Sequence, residues 1–144
     1  INSNVEITKL LGKQKEISIS TDVKPKTILF ADKIMITSVI NNLIGNAVKF
    51  TPRGGNISVD MEENEREVMI TISDTGVGIK SDKLMDIFKD NKIGPTQGTE
   101  HEKGSGLGLL ICKEFVNKNG GEIWAESEDG NGSRFIFTIP KNNI

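Results

Sequence analysis

Cysteine is almost missing from this sequence: Cys112 stands alone among 144 residues. A single thiol builds neither an internal disulfide nor a cysteine-rich zinc site, and it fits a reducing compartment. Long apolar runs are missing too. None approaches the roughly 20 residues that span a bilayer. No signal-peptide pattern is visible, and the start at Ile1 rather than Met reads as that of a fragment, whose parent could still carry a membrane anchor elsewhere. The formal charge is -2, which gives no pull toward nucleic acid or an anionic membrane. What is present is ordinary: 35% hydrophobic and 26% charged residues, enough for one globular domain with a real core.

Two familiar phosphate-binding patterns are absent. No Gly-Lys-Ser/Thr closes a Walker loop. The glycines of Gly104-Ser105-Gly106-Leu107-Gly108 have Gly-x-Gly-x-Gly spacing, and their neighbours do not form the βαβ unit of a dinucleotide fold.

Periodicity divides the chain into elements. Asn4 to Lys15 is mildly amphipathic and reads as the end of a helix or linker. Ile17, Ile19, Thr21 and Val23 alternate with polar residues, which predicts a half-buried strand. Thr27 to Ala31 reads as a short extended run. Asp32 is placed to cap a helix over Lys33 to Phe50, with Ile36, Val39, Ile40, Leu43, Ala47 and Phe50 at helical spacing. Pro52 and the pair Gly54-Gly55 end it. Asn56 to Glu62 and Glu67 to Ser73 read as a hairpin. Ser81 is expected to cap a short helix ending near Phe88. Lys89 to Ser105 is polar and aperiodic, as in a functional lid or a disordered segment. Gly106 to Asn119 reads as a helix. Glu122 to Ser127 and Ser133 to Pro140 read as a closing hairpin. Cys112 falls in the core of the last helix and Trp124 in the sheet. The expected fold is α+β: a two-layer sandwich, with a mainly antiparallel sheet of about five strands and helices on one face.

Three features carry chemistry. Asn42, Asn46 and Lys49 lie on one stripe of the long helix, because a helix turns about 100° per residue. Asparagine is a poor helix former. The stripe is therefore either a solvated face or a place where carboxamide oxygens meet Mg²⁺ and a lysine meets phosphate. Asp74 ends a strand and is followed by Gly76 and Gly78. It is either an Asp-anchored turn or an acceptor for an amino group such as that of adenine, with glycines that let the backbone approach a planar base. The glycine-rich run before the last helix is either a hinge or an anion site at a helix N-terminus.

Taken in order, Asn41 to Thr51 (Asn-Asn-Leu-Ile-Gly-Asn-Ala-Val-Lys-Phe-Thr), Asp74 to Ile79 (Asp-Thr-Gly-Val-Gly-Ile) and Gly104 to Leu109 (Gly-Ser-Gly-Leu-Gly-Leu) resemble the ATP-binding domain of sensor histidine kinases. That domain shares the Bergerat fold with gyrase, the mismatch-repair ATPases and a heat-shock chaperone. The likeness runs from about Ile17 to Pro140. It implies ATP and Mg²⁺ as ligands, with Asn46 as the main metal ligand and Asn42 supporting it. Lys49 is then a phosphate contact, Phe50 a ring flanking adenine and Asp74 the adenine acceptor. Gly76, Gly78 and Ile79 shape that loop. Gly104, Ser105, Gly106, Leu107, Gly108 and Leu109 form the phosphate end of the lid. Phe88 is the aromatic residue at the lid base. Thr138 is matched to a position behind the aspartate. After Phe88 the text Lys-Asp-Asn-Lys departs from the family pattern, which leaves Lys89, Lys92 and Lys103 as competing phosphate contacts.

The ATP-hydrolysing relatives resemble one another in placing Glu four residues before the metal-binding Asn. Here that position is Asn42, and a carboxamide cannot take a proton from water at neutral pH. The resemblance thus implies a histidine kinase, with Asn42, Asn46 and Lys49 as its catalytic residues, rather than an ATPase. Residues 1–16 are the expected end of a linker from a dimerisation domain, and residues 17–144 the catalytic domain. The lone His101 lacks the helix-borne His-Glu/Asp setting of a phosphoacceptor, so the acceptor histidine is expected on that dimerisation domain. The further partner implied is a response regulator receiver domain. The isolated domain is expected to be cytoplasmic and monomeric, and its parent a homodimer, anchored in a membrane or not.

Overall fold

The structure is a computed structural model, and it describes residues 13, 15–23, 31–89 and 107–141. The elements are β1 (Ser18–Asp22), α1 (Lys33–Phe50), β2 (Asn56–Glu63), β3 (Glu67–Asp74), α2 (Ser81–Leu84), α3 (Gly108–Lys118), β4 (Ile123–Ser127) and β5 (Ser133–Pro140). The strands form one sheet in the order β1-β2-β3-β5-β4. Only β1–β2 is parallel; the other three pairings are antiparallel. The expected α+β two-layer sandwich is what the chain forms.

The core follows from strand parity. Val59, Ile72 and Phe135 lie on one rung, and Met61, Ile70 and Phe137 on another. All six are buried in a single cluster with Val39, Ile40, Leu43, Ile44 and Ala47 of α1 and Cys112 and Val116 of α3. Side chains alternate across a strand, so this row faces the helices. Trp124, Ile136 and Thr138 are out of phase with it and belong to the opposite face.

α1 occupies the predicted residues. Asp32 caps it, its carboxylate accepting the Met35 amide at 3.0 Å. α1 and α3 run antiparallel: Cys112 Sγ lies 3.8 Å from Val39 O, and Asn119 Nδ2 lies 3.6 Å from Met35 Sδ.

Several boundaries differ from expectation. α2 is a single turn, with Lys80 at the N-cap and Ser81 already inside. Its apolar residues Leu84, Ile87 and Phe88 are only partly buried, too little packing to extend a helix that is marginal alone. α3 begins at Gly108 rather than Gly106 and ends at Lys118, and β4 begins at Ile123. Residues 1–12 and 14 of the anticipated linker (residues 1–16), residues 27–30 of the extended run and residues 90–106 of the lid lie outside the described residues, with Lys92, His101, Lys103, Gly104, Ser105 and Gly106 among them. Among the described residues no helix is long and apolar enough to cross a membrane.

Candidate functional site

Asp74 continues the inward row Val68, Ile70, Ile72 by two residues, so a carboxylate takes a position the pattern reserves for the core. Its Oδ1 accepts the Gly76 amide at 2.9 Å. Burial holds its pKa above the usual carboxylate range, against the opposing pull of the Gly76 and Ser133 amides. Oδ1 is thus engaged with the loop.

The loop after Asp74 is clamped from two sides. The Val77 amide donates to Phe50 O at 3.2 Å, and a methyl group on Gly76 would press on that same carbonyl at 2.5 Å. On the other side the Gly130 amide donates to Val77 O at 2.7 Å, and the Ile79 amide donates to Ser127 Oγ at 2.7 Å. Gly78 has φ 73°, and a methyl there would overlap the Glu128 carbonyl. These two glycines were expected to clear space for a base. In the structure a side chain at Gly76 would meet Phe50 O at the end of α1 and the Asp74 carboxylate, and one at Gly78 the Glu128 carbonyl in the β4–β5 turn.

The rung at this end of the sheet reads Ile57, Asp74, Ser133, Ser127, all inward. Ser127 Oγ donates to Gly132 O at 2.8 Å, so the 3.0 Å contact between the two serines has Ser133 as donor. Thr138 does not belong to this group. It pairs with Met69, five residues along β5 from Ser133 or about 17 Å, and points to the opposite face. Its hydroxyl accepts the Glu122 amide at 3.1 Å. The residue behind Asp74 is Ser133, and the expectation for Thr138 is corrected on parity. Both serines were missed. The signal was the period-two pattern Ser133, Phe135, Phe137, Ile139, which puts Ser133 in phase with the core.

The other end of the site lies along α1. A methyl on Gly108 would sit 3.3 Å from Asn42 Oδ1, so the first turn of α3 rests against Asn42. Asn42 Nδ2 points to Ser38 Oγ at 3.4 Å, which turns its oxygen toward Gly108. Among the described residues no side chain caps the α3 N-terminus, where Leu107 is the exposed N-cap residue. Asn46 is half-buried one turn from Asn42, and Lys49 Nζ lies 4.9 Å over the Phe50 ring. From Asn42 to Phe50 the helix advances about 12 Å, a length that an extended nucleotide spans. Phe88 packs edge-on against Phe135 with ring centroids 6.3 Å apart, and Leu109 and Ile79 lean on the core. Lys89 is exposed and pairs with Asp86 at 3.0 Å. Among the described residues no three His, Cys, Asp or Glu side chains cluster.

A carboxylate at a strand end and a carboxamide stripe against the first turn of a helix thus lie on one α+β sandwich. Residues 31–143 match the model of the histidine kinase-, DNA gyrase B- and HSP90-like ATPase family, and the chain belongs to it. Within that family it is an ATP-binding catalytic domain of the sensor histidine kinase type. It is 42% identical over 113 residues to the adaptive-response sensory kinase SasA of Synechococcus elongatus, covering 78% of this chain and 29% of that protein. The chain therefore spans less than a third of that relative. The catalytic domain of histidine kinase ThkA superposes with a TM-score of 0.78 at 28% identity, covering 98% of this chain and 92% of that one. Full-length ShkA, solved in complex with AMPPNP, gives a TM-score of 0.77 at 28% identity, covering 95% of this chain and 29% of that one.

Proposed function

We propose that this chain binds ATP with Mg²⁺ and donates the γ-phosphoryl group to a histidine on a dimerisation domain outside residues 17–144, for relay to a response regulator aspartate. The observation that carries the reading is the inward carboxylate of Asp74 at one end of α1, with Asn42 against the first turn of α3 at the other.

In this reading the second oxygen of Asp74 accepts the adenine amino group, and the Phe50 ring flanks the base. Lys49 and the amides from Gly104 to Leu109 meet the phosphates. Asn46, with Asn42 beside it, holds Mg²⁺; the carboxamide donor set suits a hard cation that also keeps phosphate and water oxygens. When bound, the ion neutralises charge on the transferring phosphoryl group. The protein's own part is positioning: a rigid base pocket, a fixed carboxamide stripe and a helix N-terminus aligned with it. Asn42 cannot act as a base toward water, so the site favours storage and transfer over hydrolysis. The parent is proposed to be a homodimer with this domain on the cytoplasmic side.

The test has two arms. Calorimetric titration of the chain with Mg²⁺-AMPPNP should show one site. Labelled Mg²⁺-ATP should leave the chain unlabelled and transfer label to a supplied cognate dimerisation domain. Steady ATP hydrolysis abolished by Asn46→Asp, or label on the chain itself, would overturn the kinase reading.

A further inference from the structure

Lys15 is 5% exposed, an unusual state for a lysine, and its Nζ donates to Val48 O at 3.0 Å and Lys49 O at 3.1 Å. These are carbonyls of the last turn of α1, which have no partner within the helix. A buried ammonium is costly unless its hydrogen bonds are made, and a cation is favoured at a helix C-terminus.

The neighbouring backbone is also costly. Glu16 has φ 57°, the one non-glycine residue with positive φ among the described residues. That conformation lets Glu16 O accept the Gly54 amide at 3.1 Å, while the Ser18 amide donates to Gly55 O at 3.1 Å. The chain entering the sheet is thereby fastened to the end of α1 and to the turn that follows it.

That same helix end holds the site. Lys49 and Asn46 belong to its last two turns, and Phe50 O anchors the loop carrying Gly76 and Val77. We infer that Lys15 is a positioning residue for nucleotide binding: it fixes the last turn of α1, and so couples the point where the chain enters the domain to the base loop and to Lys49. The coupling is reciprocal, because any shift of one equilibrium by the other acts equally in reverse. A displacement of the chain upstream of Lys15 therefore changes nucleotide affinity, and nucleotide in turn stiffens the entry segment.

This inference rests on the nucleotide-site reading above, and the test separates the two. Wild-type chain, Lys15→Met and Lys15→Arg are titrated with Mg²⁺-AMPPNP. Loss of wild-type binding would remove the site reading itself. With wild type binding, Lys15→Met should bind about tenfold more weakly, the size expected from losing charged hydrogen bonds at the helix end. Lys15→Arg, which keeps a cation there, should recover affinity to within about threefold. Equal affinity for wild type and Lys15→Met, or a loss that Arg does not relieve, would refute the positioning role. A second measurement on wild type avoids dependence on the folding of a variant. Mg²⁺-AMPPNP should slow hydrogen exchange of the Ser18 and Gly54 amides by about threefold or more. Unchanged exchange at both amides overturns the coupling.

Discussion

The two ends of the site are built on opposite principles. At the base end the Asp74 loop is tied down at Val77 N, Val77 O and Ile79 N, by Phe50 O, Gly130 N and Ser127 Oγ. At the phosphate end no side chain of the described residues caps the α3 N-terminus, and Asn42 turns its oxygen toward it. The difference suits a ligand whose base is constant and whose phosphate tail changes during turnover. Rigidity at the base gives selectivity, because a buried acceptor already placed loses no ordering entropy on binding. At the other end the amides of a helix N-terminus, with the helix dipole behind them, favour an arriving anion.

The sharpest way to break this contrast is Gly78→Ala. It forces a methyl into the Glu128 carbonyl at a positive φ, so a loss of at least about 3 kcal/mol in urea unfolding is expected, with nucleotide binding lost alongside. An unchanged midpoint would mean the base end is not the rigid one.

Next comes Asp74→Asn. Oδ1 stays on the Gly76 amide, and an NH₂ replaces the oxygen proposed to accept the adenine amino group, so donor meets donor. Adenine-nucleotide affinity should fall about a hundredfold by titration. Stability should move the other way. Burial raises the folded pKa of Asp74, so the proton's stabilising effect is complete below the unfolded-state pKa and is lost as pH rises through the folded value. At neutral pH the wild type carries a desolvated charge that the amide removes. Asp74→Asn should therefore melt at or above the wild-type temperature at pH 7, and the gap should close on acidification. A large destabilisation at pH 7 contradicts this.

Asn46→Ala addresses the other end alone. Mg²⁺-AMPPNP should bind about tenfold more weakly while adenosine affinity stays the same; equal losses for both ligands would erase the distinction between the two ends. Ser127→Ala removes the hydroxyl that joins Ile79 N, Gly132 O and Ser133. A cost of about 1 kcal/mol is expected, read as faster exchange of the Ile79 amide. The smallest effect belongs to Arg134→Ala, whose 3.1 Å pair with Glu126 is solvent-exposed on both sides. It should shift melting by about 0.5 kcal/mol or less and leave binding alone.

α1 was legible to the residue, because Asp32 caps it, its apolar positions keep one period and Pro52 with two glycines stops it. The sheet's strands were legible for the same reason, since alternation fixes both the element and the inward face. Asp74, Asn42, Asn46 and Lys49 stood out as polar residues where the pattern called for apolar ones or for better helix formers. Thr138 was misplaced because it was matched by analogy, when the phase of Phe135 and Phe137 already sent it to the outer face. Ser127 and Lys15 left no comparable trace. A serine in a strand and a lysine beside one are ordinary until their partners, 48 and 33 residues away, are known.

The sequence alone determined the elements, the inward face of each strand and the ordered motifs, because hydrophobic period and turn chemistry act over a few neighbouring residues. Only the tertiary structure decided what the glycines of the Asp74 loop touch, which hydroxyl stands behind that aspartate and what caps the end of α1. Those are contacts between segments far apart in the chain, and their geometry is set by the packing of helices on the sheet rather than by any local preference.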